Sequence, residues 1–177
     1  MEHGSDQLED TLRAGEIDFA GALLPMSEEF DRQPVKQEPL VALLPSGHAL
    51  ATRDAVRLAE LKDTPFIIFE SGFSLHRIIL DASRWAGFEP DVVARSSQMD
   101  FMVELVAAGL GVAFLPRMIG EQRARPTVRQ VLLDEPGTEW SMVMAWRRHA
   151  YLSQAARAWL DLVREVHGAD THPKPDG

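Results

Sequence analysis

The chain has no cysteine, a single tyrosine, and no apolar run near the ~20 residues that cross a bilayer. Without cysteine there are no disulfides, no thiolate nucleophiles and no Cys-type zinc sites, which suits a reducing compartment, and a cytoplasmic location is expected. Positive charge is also sparse. The 18 Lys and Arg face 27 Asp and Glu, the net charge is −9, and no basic run exceeds Arg147-Arg148. Neutralising duplex phosphates takes clustered Lys and Arg, so this chain by itself does not read as a nucleic-acid binder. The opening Met-Glu-His-Gly-Ser-Asp is acidic and polar, unlike a secretory leader. The six histidines (3, 48, 76, 149, 167 and 172) show no metal-ligand spacing, and no metal or cofactor is expected.

What is present suffices for a core. With 177 residues, 45% of them hydrophobic, the chain can form one domain or two small lobes. Ser5 or Asp6 can cap a first helix with Leu8 and Leu12 on one face, and Gly15 stops it. Residues 17–24 read as a buried strand ending at Pro25, and 26–35 as a polar, turn-like segment. Strands are expected at 39–45 and 65–69, with a short helical turn at 56–61 between them. A helix follows with Leu75, Ile78, Ile79, Ala82 and Ala86 at helical spacing, closed by Gly87. After a strand at 91–95, Ser97-Gln98-Met99-Asp100 has the form of a capping box with Ser97 as the cap. The helix behind it is expected to bury Phe101, Met102, Leu105 and Val106 and to stop at Gly109. Strands at 111–115, 128–133 and 140–146 come next, the last two around a turn at Pro136-Gly137. In the final helix Leu152, Ala155, Ala156, Trp159, Leu162, Val163 and Val166 form one apolar stripe. Residues 169–177 read as a disordered tail.

The alternation of strand, loop and helix predicts an α/β fold with mostly parallel strands. Ligands in such folds lie beyond the carboxyl ends of strands, against helix N-termini. That rule selects the hydroxyl-rich loops at 70–76 and 95–99 and the helix start at Ser5. In the first loop Gly72 permits close backbone approach, and Ser71 and Ser74 offer hydroxyls beside free amides that favour an anion. Phe73 can cover an apolar part of the ligand, and His76 lies one turn into the helix. Ser97, Gln98 and Met99 are the candidates of the second loop. The plain alternative in each case is an ordinary capped helix, or a frayed terminus at Ser5. Gly109-Leu110-Gly111 closes a helix and opens a strand, so its glycines serve termination and close packing rather than phosphate binding.

Four segments together resemble the effector-sensing domain of LysR-type transcription regulators. They are Leu12-Arg13-Ala14-Gly15-Glu16-Ile17-Asp18, the stretch Leu40 to Leu50, Asp63 to Phe69 with its helix closing in Ala86-Gly87-Phe88-Glu89-Pro90, and Leu105 to Pro116. The resemblance covers residues 4–166. It implies two Rossmann-like lobes joined by two crossing strands, as in type-2 periplasmic binding proteins, with a small-molecule effector in the inter-lobe cleft. One lobe would be 1–40 with 135–168, the other 41–134. Ala22 and Leu23, at the end of the strand after Asp18, would line that cleft. The winged helix-turn-helix, the linker helix and the first strand and helix of the first lobe, which such regulators carry, do not precede Met1, so that lobe is expected to be incomplete. The resemblance further implies a homodimer or homotetramer, contact with DNA only through the missing N-terminal domain, no membrane partner, and His48 as a structural residue. A solute-binding protein serving transport would share this fold. An enzyme reading lacks a nucleophile, base or metal constellation.

Overall fold

A computed structural model describes residues 5–149 and 152–167. The predicted tail at 169–177 lies outside that range. Contacts divide the chain into two compact units: one holds residues up to Gln37 and from Ser141 onward, the other Glu38–Trp140.

The first unit contains α1 (Ser5–Ala14), β1 (Phe19–Leu23), most of β2 (Phe30–Glu38), most of β9 (Trp140–Arg147) and α5 (Gln154–His167). Its sheet runs β1-β9-β2, with β1 antiparallel to β9 from Phe19↔Trp146 to Leu23↔Met142. Leu12 of α1 packs on Ala20, Ala22, Phe30, Val143 and Ala145. Gly15 ends α1 with φ +75°, its N–H reaching Leu12 O at 3.1 Å while Glu16 N–H reaches Thr11 O at 3.2 Å. A Cβ on Gly15 would lie 2.5 Å from the Arg147 guanidinium, so no other residue fits without displacing that side chain. Arg13 bonds Asp10 and Glu29, both at 2.5 Å, and ties α1 to the segment entering β2.

Two expectations for this unit need correction. Residues 30–35 of the segment expected to be turn-like at 26–35 belong instead to the strand β2. Only Phe30, Gln33 and Val35 point inward, and the charged remainder with Pro34 hides the alternation. Proline is tolerated there because β2 is an edge strand. The buried Gln33 is satisfied, donating to Leu160 O at 3.3 Å and accepting from Arg164 at 3.3 Å. The stripe predicted on α5 divides. Ala156, Leu160 and Val163 are buried, whereas Trp159, Leu162 and Val166 are 48, 47 and 60% exposed. Leu160, outside the predicted set, occupies the centre of the buried face.

The second unit contains β3 (Leu40–Pro45), β4 (Ala55–Val56), a 3-10 turn (Leu58–Leu61), β5 (Phe66–Phe69), α2 (Ser74–Trp85), β6 (Val92–Ser96), α3 (Met99–Ala107), β7 (Ala113–Pro116), the short α4 (Arg117–Gln122) and β8 (Val128–Leu133). Strands β4-β8-β3-β7 form one sheet, and β5-β6 a parallel pair. A parallel bridge, Phe66↔Val112, stitches the two together, with Ile67 N–H to Val112 O and Val112 N–H to Pro65 O both at 2.8 Å. The sheets are mixed, correcting the expectation of mostly parallel strands: β3 is antiparallel to both β7 and β8. Uniformly apolar strands such as Leu40–Leu44 signal burial on both faces, and direction is not written in that pattern. Phe66 centres the core, its ring 5.1 Å from Phe114 and 6.1 Å from Phe88.

Gly111 is where the stitch forms. A Cβ there would lie 2.3 Å from the Pro65 carbonyl oxygen, which is backbone and cannot swing aside. Gly111→Ala is expected to destabilise the second unit by about 3 kcal/mol, as overpacking does. Gly47→Ala, whose Cβ would meet nothing within 4 Å, is expected to stay within about 0.5 kcal/mol of the parent in the same denaturant titration.

The Arg13–Glu29 pair sets a pH dependence. Hydrogen bonding to the Arg13 guanidinium holds the Glu29 carboxyl below its ordinary range. A carboxyl lowered on folding adds stability above its unfolded pKa and loses it as pH falls through the folded value. The thermal midpoint of Arg13→Gln is therefore expected slightly below the parent's at neutral pH and level with it once the carboxylates are protonated. The pair is exposed, so the neutral-pH gap is small and shrinks with salt.

Candidate functional site

The parallel pairing of β5 and β6 positions the candidate residues of the second unit. Phe69 and Ser96, the last residues of the two strands, are register partners. Neighbouring strands lie about 4.8 Å apart, so the loops leaving them start side by side. Each loop leads directly into a helix, α2 at Ser74 and α3 at Met99. The structure therefore brings together the two segments, 70–76 and 95–99, that the sequence singles out separately.

The first loop is a β-turn. Phe73 N–H bonds Glu70 O at 3.3 Å, and Gly72 occupies the third position with φ +105°, a conformation that side chains disfavour. A Cβ on Gly72 would meet nothing within 4 Å, so its backbone is open to approach. Ser71 and Gly72 are exposed, whereas Ser74 is buried. The Phe73 ring stacks at 5.4 Å on Phe69 with one side still accessible. His76 folds back over the strand end, its Nδ1 2.7 Å from Phe69 O. A carbonyl only accepts, so Nδ1 carries a proton and donates it to Phe69 O.

In the second loop the cap differs from the expectation. Gln98 is the N-cap of α3, and its N–H is accepted by Ser96 Oγ at 3.0 Å. Ser97 is exposed and caps nothing. The alternation of β6 puts Val92, Ala94 and Ser96 inward and Val93, Arg95 and Ser97 outward. That alternation was the signal for Ser96, and the serine doublet masked it. The later cap also shifts the phase of α3: Met102, Val103 and Val106 are buried, and Phe101 is 52% exposed. Gln98 is exposed and Met99 half-buried at the helix start.

The remaining candidates lie in the first unit. Ser5 is the first residue of α1, and its side chain lies outside the described part of the structure. Ala22 is buried against Leu12, and Leu23 is half-buried on the opposite face at the end of β1. His48 staples its turn: Nδ1 accepts from Leu50 N–H at 3.1 Å, and Nε2 lies 3.3 Å from Thr64 Oγ1. Among the described residues no cluster of three or more His, Asp or Glu is placed to hold a metal ion, and no helix is long and apolar enough to cross a membrane.

Two α/β units, with the chain passing from one to the other in β2 and back in β9, have the type-2 periplasmic-binding-protein-like fold of LysR effector-binding domains. The family model of the LysR substrate binding domain matches residues 1–168, and the chain belongs to that family. It is 36% identical over 162 residues to YwbI, an HTH-type transcriptional regulator of Bacillus subtilis (strain 168), covering 91% of this chain and 54% of that protein. The chain thus spans about half the length of the curated relatives it matches. Among solved structures, the C-terminal domain of a probable LysR family regulator from Rhodococcus sp. RHA1 is 29% identical, with a TM-score of 0.75 over 92% of this chain and 81% of that one. The effector binding domain of QuiR in complex with shikimate shares the fold at 20% identity, with a TM-score of 0.81 over 94% of this chain and 79% of that one.

The two serines have separable roles. Ser96→Ala removes the acceptor for Gln98 N–H and is expected to cost about 1 kcal/mol in chemical denaturation, as loss of a cap does. Ser97→Ala is expected to change stability by less than about 0.5 kcal/mol.

Proposed function

We propose that the chain is the sensing part of a DNA-binding transcription regulator and captures a small organic anion with the loops at 70–76 and 95–99. The observation that supports this reading is the Phe69↔Ser96 pairing, since from these two paired strand ends the chain runs on into the N-termini of α2 and α3. The first turns of helices leave amide hydrogens without helical partners and carry partial positive charge. Two such ends side by side favour a carboxylate or similar group. Ser71, the open backbone of Gly72, Ser97 and Gln98 supply hydrogen bonds in this reading. Phe73 and Met99 cover the apolar part, and His76 offers its Nε2. Ser74 shapes the start of α2 from its buried position. Family membership supports a regulator over an enzyme, and the shikimate held by QuiR's domain is a small organic acid of the proposed class.

In this reading ligand binding biases an equilibrium between conformations, and the bias passes to DNA-reading segments outside these residues. Self-association as a homodimer or homotetramer and a cytoplasmic location complete the proposal. Calorimetry against a panel of small organic acids, shikimate among them, tests it. At least one is expected to bind, with Ser71→Ala and Ser97→Ala each weakening it about tenfold, or 1.4 kcal/mol. Ser46→Ala, in a turn at the end of β3, is expected to leave affinity unchanged. Binding that neither loop variant weakens puts the ligand elsewhere.

A further inference from the structure

Two charged residues border the loops of the second unit, and neither is spent. Glu70 is the first residue of the loop that leaves β5, and its main-chain oxygen anchors the turn there by accepting from Phe73 N–H at 3.3 Å. Arg95 is the last residue but one of β6. Both are exposed, and among the described residues neither side chain has a hydrogen-bond or ion-pair partner. Other charges nearby are engaged. Asp100, on the first turn of α3, pairs with Arg123 at 2.8 Å, and Arg77 on α2 has a partner of its own.

Strand pairing fixes where the two unspent charges stand. Phe69 is level with Ser96 and Ile68 with Arg95, so the next step of the parallel register sets Glu70 level with Ser97. The two backbones are about 4.8 Å apart there. Arg95 stands two residues before Ser97 on the same outward side of β6, about 6.6 Å back along the strand. Ser97 thus has an unpaired anion across from it and an unpaired cation behind it. Glu70 and Arg95 are diagonal neighbours, about 8 Å apart at the backbone, a span that long side chains can cross. Opposite charges within reach that do not pair are left for a third group.

We propose that the ligand of these loops carries an ammonium as well as a carboxylate and is an α-amino acid, its ammonium set against Glu70 and its carboxylate against Arg95 and the loop amides. The inference rests on the reading of the two loops as a ligand site and adds the ligand's second charge. A simple carboxylate meets Glu70 as a like charge, and a dicarboxylate meets it twice. An amino acid turns the same residue into a partner, so Glu70 selects by what it repels as well as by what it holds.

Calorimetry on the whole chain with matched ligands tests it. Each proteinogenic amino acid is compared with the acid of the same skeleton that lacks the amine, leucine with isocaproate and phenylalanine with hydrocinnamate among them. At least one amino acid is expected to bind about tenfold more tightly than its partner acid. Glu70→Gln keeps the shape and removes the charge, and is expected to weaken that amino acid about tenfold, which brings the two ligands level. Arg95→Gln is expected to weaken both, because both carry the carboxylate. Partner acids that bind as tightly as the amino acids, with Ser97→Ala weakening both, overturn this inference and leave the loops as a plain carboxylate site. Amino-acid binding that neither Ser97→Ala nor Glu70→Gln alters puts the ligand elsewhere and overturns the reading of the loops with it. Binding of neither kind of ligand overturns both.

Discussion

Parallel pairing of β5 with β6 is the constraint on which the candidate site depends. Parallel strands end at the same side of a sheet, so the segments that leave them emerge together and their helices begin together. Had the two strands been antiparallel, the loop after Phe69 and the loop after Ser96 would lie at opposite ends. The amides of α2 and α3 would then have no common target. The pairing rests on the second unit's core. Phe66 is held between Phe88 and Phe114, and Gly111 lets the segment entering β7 close on Pro65. A glycine well away from the loops thus helps to hold them in register.

The site is polar in a particular way. Its exposed residues are Ser71, Gly72, Ser97 and Gln98, flanked by the charged Glu70 and Arg95, while the rings of Phe69 and Phe73 pack 5.4 Å apart. In the proposed reading such a surface would hold a compact polar ligand through directional bonds, with specificity set by where each donor and acceptor sits. His76 is tied to the strand end by its Nδ1, which donates to the Phe69 carbonyl. The hydroxyl nearest the strand end, Ser96, is committed to the backbone of Gln98, while Ser97 is exposed.

Much of this was legible in the sequence, and the exceptions have physical reasons. Glycines at 15, 87 and 109, all with positive φ, marked helix ends correctly, because few other residues adopt that conformation at low cost. Apolar runs bounded by prolines marked β3 and β5. The resemblance to LysR-type domains rested on the order of four such local signals, and the family match bears it out. What the sequence hid was context. β2 is a strand because it borders a sheet, not because its own residues favour one. Ser96 and Ser97 are chemically identical, and only strand alternation decides which turns inward. The apolar residues of α5 outnumber what one buried face can take, so periodicity alone could not choose Leu160 over Trp159.

Trp85, at the last position of α2, is 77% exposed and lies over the turn at Gly137, where a Cβ would come within 3.2 Å of its Cζ3. The indole and the loop at 70–73 thus occupy opposite ends of one rigid rod, about 18 Å long for its 12 residues. A tilt of that rod large enough to matter at one tip slides the ring across the glycine at the other and alters its hydration. The chain has four tryptophans, so it is with Trp140, Trp146 and Trp159 replaced that emission from the remaining indole reads α2 without any added dye.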